Sequence, residues 1–250
     1  MTDFPARALA VPGAMNIRDL GGYRTTAGHL TRWRSLLRGD SPHLIMPEGA
    51  QALRAAGLTS VVDLRSPAEA AAEPNPLAAV DAVTYAARPL FDDLAPTLQG
   101  VVARASGDLL LDLYQEALDG RSDAIRNVLT SIATAPPGAV LFHCTAGKDR
   151  TGIIAALLLG AAGVERADIV ADYALTGPRI APLVERLLAR TRDTGGDPVA
   201  HARFLRCDAD TMAATLDHID RRHGSVPGYL ADIGLDRAGI DALRGRLLDA

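Results

Sequence analysis

One stretch, Gly138 to Leu159, constrains this chain more than any other. Ten small and polar residues, His143-Cys144-Thr145-Ala146-Gly147-Lys148-Asp149-Arg150-Thr151-Gly152, lie between two apolar runs. Gly138-Ala139-Val140-Leu141-Phe142 leads in, and Ile153 to Leu159 leads out. That order predicts a buried strand, a tight loop and a buried helix. The loop then sits at a helix N-terminus, where unpaired backbone N–H groups and the helix dipole favour an anion. A cysteine in such a place can act as a thiolate. An arginine closing the loop can grip two oxygens of a phosphate. Cys144 and Arg150 stand six positions apart, and the combination suits thiolate attack on a phosphate ester.

The Cys-x5-Arg-Thr pattern resembles the active loop of the protein tyrosine phosphatase superfamily. The longer string, His-Cys-x-Ala-Gly-Lys-Asp-Arg-Thr-Gly, resembles its bacterial atypical branch, which includes a secreted mycobacterial phosphatase active on phosphotyrosine and phosphoinositides. Other segments share the resemblance in the same order: Asn16-Ile17-Arg18-Asp19-Leu20-Gly21-Gly22-Tyr23, Val61-Val62-Asp63-Leu64-Arg65-Ser66, Ala171-Asp172-Tyr173-Ala174-Leu175-Thr176 and Gly228-Tyr229-Leu230. It runs from about Val11 to the C-terminus. The resemblance implies hydrolysis of phosphomonoesters through a phosphocysteine, with neither metal nor cofactor. It implies a phosphorylated protein or a phosphoinositide as substrate: phosphotyrosine first, with phosphoserine/threonine and phosphoinositide as further classes.

The bulk numbers fit this reading. A chain of 250 residues with 48% hydrophobic and 22% charged residues is neither disordered nor fibrous, and one domain over 1–250 is the simplest expectation. A net charge of −4 speaks against nucleic acid as a partner. It leaves room for a local anion site at Lys148 and Arg150. Two cysteines, Cys144 and Cys207, are too few for a disulfide scaffold, so a reduced, cytoplasmic setting is the default expectation. Residues 1–15 lack the apolar core of a Sec leader, which leaves non-classical secretion open. The longest apolar run, Ile153 to Val164, has 12 residues and is too short to span a bilayer. Oligomeric state leaves no signature here.

Short strand candidates (Leu36-Leu37, Ser60 to Leu64, Val80 to Tyr85, Gly138 to Phe142) alternate with helical segments. The helices are expected over Pro47 to Ala56, Pro67 to Ala72, Asp108 to Leu118, Ser122 to Ala135 and Arg150 to Ala162. Further ones follow over Arg166 to Leu175, Ile180 to Arg192, Ala209 to Arg222 and Asp236 to Leu248. Ser66 and Ser122 are expected caps, with Pro67 in a first helical turn. Alternation of this kind predicts an α/β fold: a mostly parallel central sheet flanked by helices, with a helix-rich C-terminal half. Cys144 then lies at the carboxyl end of a strand, where ligands bind in such folds.

Within the loop, Cys144 is the expected nucleophile and Arg150 the phosphate grip. The N–H groups of Thr145 to Arg150, including Ala146 and Gly147, should face the same oxygens. Thr151 either donates its hydroxyl to the thiolate or is an ordinary first-turn residue. The resemblance makes His143 a support of the loop. Lipid phosphatases of the superfamily carry basic residues in the loop, so Lys148 either meets an extra phosphate or is simply solvated. Leaving-group protonation requires an acid. Asp149 is preferred, because similar bacterial phosphatases have an aspartate there; Asp92 and Asp93 are the alternative, on a separate loop. Asn16, Arg18, Asp19, Asp63 and Arg65 are expected to support the loop or line its rim. Residues 178–206 are either a helical lid that shields Cys144 from oxidation or two packed helices, and Cys207 is expected to be an ordinary core thiol.

Four other readings are weaker. A nucleotide-binding loop would need glycine where Phe142 stands. The six histidines show no metal-ligand spacing, so no metal is expected. A rhodanese-like sulfurtransferase also places a cysteine between strand and helix, but does not require Arg150, Thr151 and the Asn16-x-Arg18-Asp19 pattern together. A non-catalytic phosphate-binding module would usually lack the cysteine or the arginine.

Overall fold

The computed structural model describes residues 7–91 and 107–249. Its centre is a five-stranded sheet of β1 (Arg18–Asp19), β2 (Leu36–Gly39), β3 (Leu58–Asp63), β4 (Thr84–Ala87) and β5 (Ala139–His143), in the order β1-β2-β5-β3-β4. β2, β5, β3 and β4 run parallel, and β1 pairs antiparallel to β2 at one edge. β5 is central and wholly buried, as its uninterrupted apolar run requires in a sheet covered on both faces.

The period of two along the strands sorts side chains onto two cores. Leu36, Val62, Val140 and Phe142 face the larger one. It is filled by α3 (Leu109–Gly120), α4 (Ser122–Ala133), α5 (Asp149–Ala161), α6 (Arg166–Ala174), α10 (Ala209–His223), α11 (Val226–Asp232) and α12 (Arg237–Leu247). Leu37, Val61, Ala139 and Leu141 face the smaller core, which is covered by α1 (Pro47–Ala55) and the segment around Val11 and Ile17. Two short helices, α2 (Pro67–Ala72) and α7 (Thr176–Arg179), flank the loop region. α8 (Ala181–Asp193) and α9 (Pro198–Leu205) contain no fully buried residue.

α5 follows the loop directly, and all but two of its thirteen residues are buried. A helix enclosed on every side needs no polar stripe, which explains its apolar run from Ile153 to Leu159. The parallel register aligns Gly39, His143 and Asp63 at one edge of the sheet. The chain leaving each of these strands therefore arrives at the same place, at the carboxyl ends where the Cys144 loop begins.

Several expected elements lie elsewhere. The strand expected from Val80 begins only at Thr84, because Asp81-Ala82 form a turn with Ala82 at φ 64°. Ser122 is the first residue of α4 rather than its cap, and Arg121 at the cap position makes no side-chain capping bond. Pro227-Gly228 lie within α11, where Pro227 occupies the first turn, a position that needs no N–H donor. Pro198 likewise opens α9. Ser66 does cap α2, and the bond is reciprocal: its hydroxyl accepts from Glu69 N while the Glu69 carboxylate accepts from Ser66 N.

Candidate active site

The loop from Cys144 to Arg150 has its carbonyls turned away from its own centre, and each finds a donor in the protein. Cys144 O accepts from His143 Nδ1 at 3.1 Å, and Thr145 O from Ser41 N at 3.0 Å. Ala146 O accepts from Asn16 Nδ2 at 3.1 Å. Gly147 O accepts from Asn16 Nδ2 at 3.2 Å and from Arg38 Nη2 at 2.9 Å. A trans peptide points its C=O and the next N–H in opposite directions. The four outward carbonyls therefore turn the N–H groups of Thr145, Ala146, Gly147 and Lys148 inward. None of these four N–H groups has an acceptor among the described residues. They form a concave nest, and such a nest attracts an anion.

Gly147 makes this path possible. Its φ is 68°, and a Cβ there would stand 2.5 Å from the Gly39 carbonyl group and 2.6 Å from Asp40 N. Both the conformation and the close approach exclude a side chain.

Cys144 is 2% exposed and lies at the start of this nest. Arg150, in the first turn of α5, is held by Glu69 of α2. Arg150 Nη1 donates to Glu69 Oε2 at 2.6 Å and Nη2 to Oε1 at 2.8 Å. Thr145 Oγ1 donates to the same Oε1 at 2.6 Å. Burial pushes the Glu69 carboxyl up, but the bonds and charge of Arg150 outweigh it and hold the group at about 2. Glu69 takes the end of the guanidinium fork, while Arg150 Nε makes no bond among the described residues. The Nε edge thus remains as a side-on grip for two oxygens.

His143 is fully buried on β5. A carbonyl can only accept, so Nδ1 carries the proton donated to Cys144 O. Nε2 then accepts from Asn75 Nδ2 at 3.0 Å. Burial lowers its pKa to about 4 in spite of the Asp63 charge, so the ring is neutral at pH 7. His143 braces the first carbonyl of the nest. Asp63 and Arg65 lie one layer behind it: Arg65 Nη2 donates to Asp63 Oδ2 at 2.7 Å, and that oxygen is 3.6 Å from His143 Nε2.

Asp149 is 30% exposed, and its Oδ1 accepts from Tyr114 OH at 2.7 Å and lies 3.2 Å from Lys148 Nζ. Burial and the Asp149 charge raise the Tyr114 phenol well above its usual range, so it remains a donor. Tyr114 and Tyr173 share a hydroxyl–hydroxyl bond of 2.7 Å. Asp92 and Asp93 lie outside the described residues.

Lys148 is neither solvated nor open to a ligand. It is 2% exposed, and its Nζ donates to Phe204 O at 2.5 Å and Arg206 O at 2.8 Å, at the end of α9. Thr151 is buried, and its hydroxyl has no hydrogen-bond partner among the described residues. Cys207 Sγ donates to Tyr173 O at 3.2 Å, and burial raises its thiol above the usual range. Of the N-terminal residues, Asn16 touches the loop directly, whereas Arg18 reaches it through Asn16, donating Nη1 to Asn16 Oδ1 at 2.6 Å. Asp19 does not reach the loop: its carboxylate accepts from Gly21 N and Arg34 N, closing the turn after β1. Among the described residues no group of three or more His, Cys, Asp or Glu is placed to hold a metal ion.

Glu69, Asn75, Arg38, Asp172 and Tyr114 are site residues that sequence reasoning missed. Two carried a signal. Glu69 completes the Ser66-Pro-Ala-Glu69 capping box. Arg38 stands in the buried run Leu36-Leu37-Arg38-Gly39, where an unpaired charge would be costly.

The amide nest between Cys144 and Arg150, at the carboxyl ends of this sheet, is built to receive an oxyanion such as a phosphate. The chain belongs to the tyrosine phosphatase family, whose model matches residues 9–249. It is 34% identical to a Cupriavidus necator protein provisionally named a tyrosine-protein phosphatase, over 90% of this chain and 83% of that one. It is 32% identical to the triple specificity protein phosphatase PtpB of Mycobacterium tuberculosis, over 95% of this chain and 98% of PtpB. A tyrosine-protein phosphatase of Nostoc commune is 35% identical over 78% of this chain and 68% of its own length. A solved structure of TpbA from P. aeruginosa aligns over 94% of this chain with 17% identity and a TM-score of 0.39.

Proposed function

We propose that the protein hydrolyses phosphomonoesters through a phosphocysteine on Cys144, with phosphotyrosine protein as the principal substrate and phosphoserine/threonine and phosphoinositide as further classes. The observation that carries this reading is the inward set of N–H groups from Thr145 to Lys148, with Cys144 at one end and Arg150 at the other. The nest and the Nε edge of Arg150 hold the phosphoryl oxygens and take up the charge of the transition state. The thiolate attacks phosphorus, the P–O bond to the alcohol or phenol breaks, and the leaving oxygen takes its proton from Asp149. Tyr114 and Lys148 both hold Oδ1 of Asp149, which leaves Oδ2 for the proton transfer. Water, deprotonated by Asp149, then attacks the phosphocysteine and releases inorganic phosphate. Arg150, Cys144 and the amides supply the charge and the nucleophile without a metal.

The names of the relatives support the substrate range, whereas the engaged Lys148 adds no support for a phosphoinositide. PtpB is named for triple specificity. A substrate bearing a second phosphate reaches Lys148 here only by displacing the carbonyls of Phe204 and Arg206. The test is phosphate release from a phosphotyrosine peptide, a phosphoserine peptide and phosphoinositides, without added metal, by wild type and Cys144→Ser. Turnover by wild type alone is expected, with the phosphotyrosine peptide first. Turnover by Cys144→Ser at the wild-type rate would overturn the mechanism. Thiocyanate formation from cyanide and thiosulfate, with no phosphate release, would favour sulfur transfer instead.

A further inference from the structure

We infer that Asp172, on α6 and outside the loop, is the positioning residue that fixes the phosphate nest by way of two arginines; the inference rests on the anion-binding reading of that loop. Asp172 is the hub of a buried network with two arms. Its Oδ2 accepts from Arg38 Nη1 at 2.5 Å, and Arg38 Nη2 goes on to Gly147 O at 2.9 Å. Its Oδ1 accepts from Arg18 Nε at 2.9 Å and from Tyr23 OH at 3.0 Å. Arg18 Nη1 donates to Asn16 Oδ1, and the Asn16 Nδ2 then donates to Ala146 O and Gly147 O. Both arms therefore meet on Gly147 O, and the Asn16 arm also holds Ala146 O. These are the carbonyls whose orientation turns the N–H groups of Gly147 and Lys148 inward.

Each link is directional. The amide of Asn16 could face either way, but Arg18 takes its oxygen, which leaves the NH2 group for the loop. Arg38 uses its planar fork to bond a carboxylate and a carbonyl at once, which a lysine cannot copy. The side chains of Arg18, Arg38 and Asp172 are at most 1% exposed. A buried ion group of this kind is weak as a source of stability, since taking its charges out of water costs as much as they return. Two guanidiniums around one carboxylate also leave one positive charge beneath the nest, where it attracts an anion. Asp172 touches neither the nucleophile nor the phosphate site, so its effect passes through the loop.

The experiment measures inhibition by inorganic phosphate, together with kcat and KM for an aryl phosphate, in wild type, Asp172→Asn, Arg38→Met and Arg38→Lys. Circular dichroism and thermal melting establish which variants are folded. Expected for folded Asp172→Asn is a phosphate Ki raised about tenfold, with kcat falling by more than KM rises, because a misplaced nest loses most in the transition state. A merely structural role would lower the active fraction and leave Ki and KM unmoved. Arg38→Lys should recover thermal stability relative to Arg38→Met without recovering Ki, and it serves as the test should Asp172→Asn fail to fold. A folded Asp172→Asn or Arg38→Lys with Ki, KM and kcat within twofold of wild type overturns the inference. Failure of wild type itself to bind phosphate overturns the anion-site reading and this inference with it, and is distinguished by the wild-type arm alone.

Discussion

His143 shows how burial fixes a single residue of the loop motif. Its ring is buried, neutral and locked as the Nδ1–H tautomer between the Cys144 carbonyl and Asn75. The folded state holds the imidazole pKa near 4, below its ordinary 6.5, so the unfolded chain binds the extra proton between those values. The stability this group contributes is complete above about pH 6.5 and is lost as pH falls toward 4, by about 3 kcal/mol. Urea melts from pH 7 to pH 4 should show that loss, and His143→Asn should flatten it; an equal slope in the variant would remove His143 from the account. Asp149 makes a second prediction at this scale. Asp149→Asn should lower kcat by about a hundredfold on an unactivated aryl phosphate and far less on one with a good leaving group. Equal losses on both would place the acid elsewhere. The residue alphabet singled out Cys144, Arg150 and Asp149 as candidates, because the proposed chemistry restricts a nucleophile, a phosphate grip and an acid to few side chains. It did not reveal Glu69 or Asp172, because their roles depend on which strand ends and helices meet, and spacing along the chain does not carry that.

At the scale of elements, the strand–loop–helix unit was the most readable part of the chain. β5 and α5 are buried on all sides, so composition alone marks them. The smaller elements were harder. α11 contains Pro227-Gly228, a pair that usually marks a break but here opens a first turn. α8 and α9 carry no fully buried residue, so the sequence left residues 178–206 open between a lid and two packed helices. The structure ties their end to the loop through Lys148, whose amine bonds Phe204 O and Arg206 O. Lys148→Ala should therefore free residues 198–206: their amide hydrogen exchange should quicken, and peroxide should inactivate the enzyme faster as Cys144 loses its cover. Unchanged exchange and unchanged inactivation would mean that these helices are packing rather than a lid.

For the whole molecule, the sheet collects the site from distant parts of the sequence. The ends of β2, β3 and β5 stand side by side, which brings Asp40 and Ser41, then Ser66 and Glu69, to the loop after His143. The net charge of −4 does not prevent this, since Lys148, Arg150, Arg38 and Arg18 concentrate positive charge beneath and around one nest. Among the described residues, no helix is long and apolar enough to cross a membrane. An anion that binds the folded state alone must stabilise the whole fold. Inorganic phosphate at a hundred times its dissociation constant should add about 2.7 kcal/mol to wild type and much less to Arg150→Met. The central claim, that Cys144 carries the phosphoryl group between substrate and water, is tested most directly by acid quench during turnover of an aryl phosphate, followed by peptide mass spectrometry. The account predicts a phosphoryl adduct on the peptide containing Cys144, enriched in Asp149→Asn, where hydrolysis of the intermediate is slowed. Steady turnover with no adduct on that peptide, or with the adduct on another residue, would contradict it.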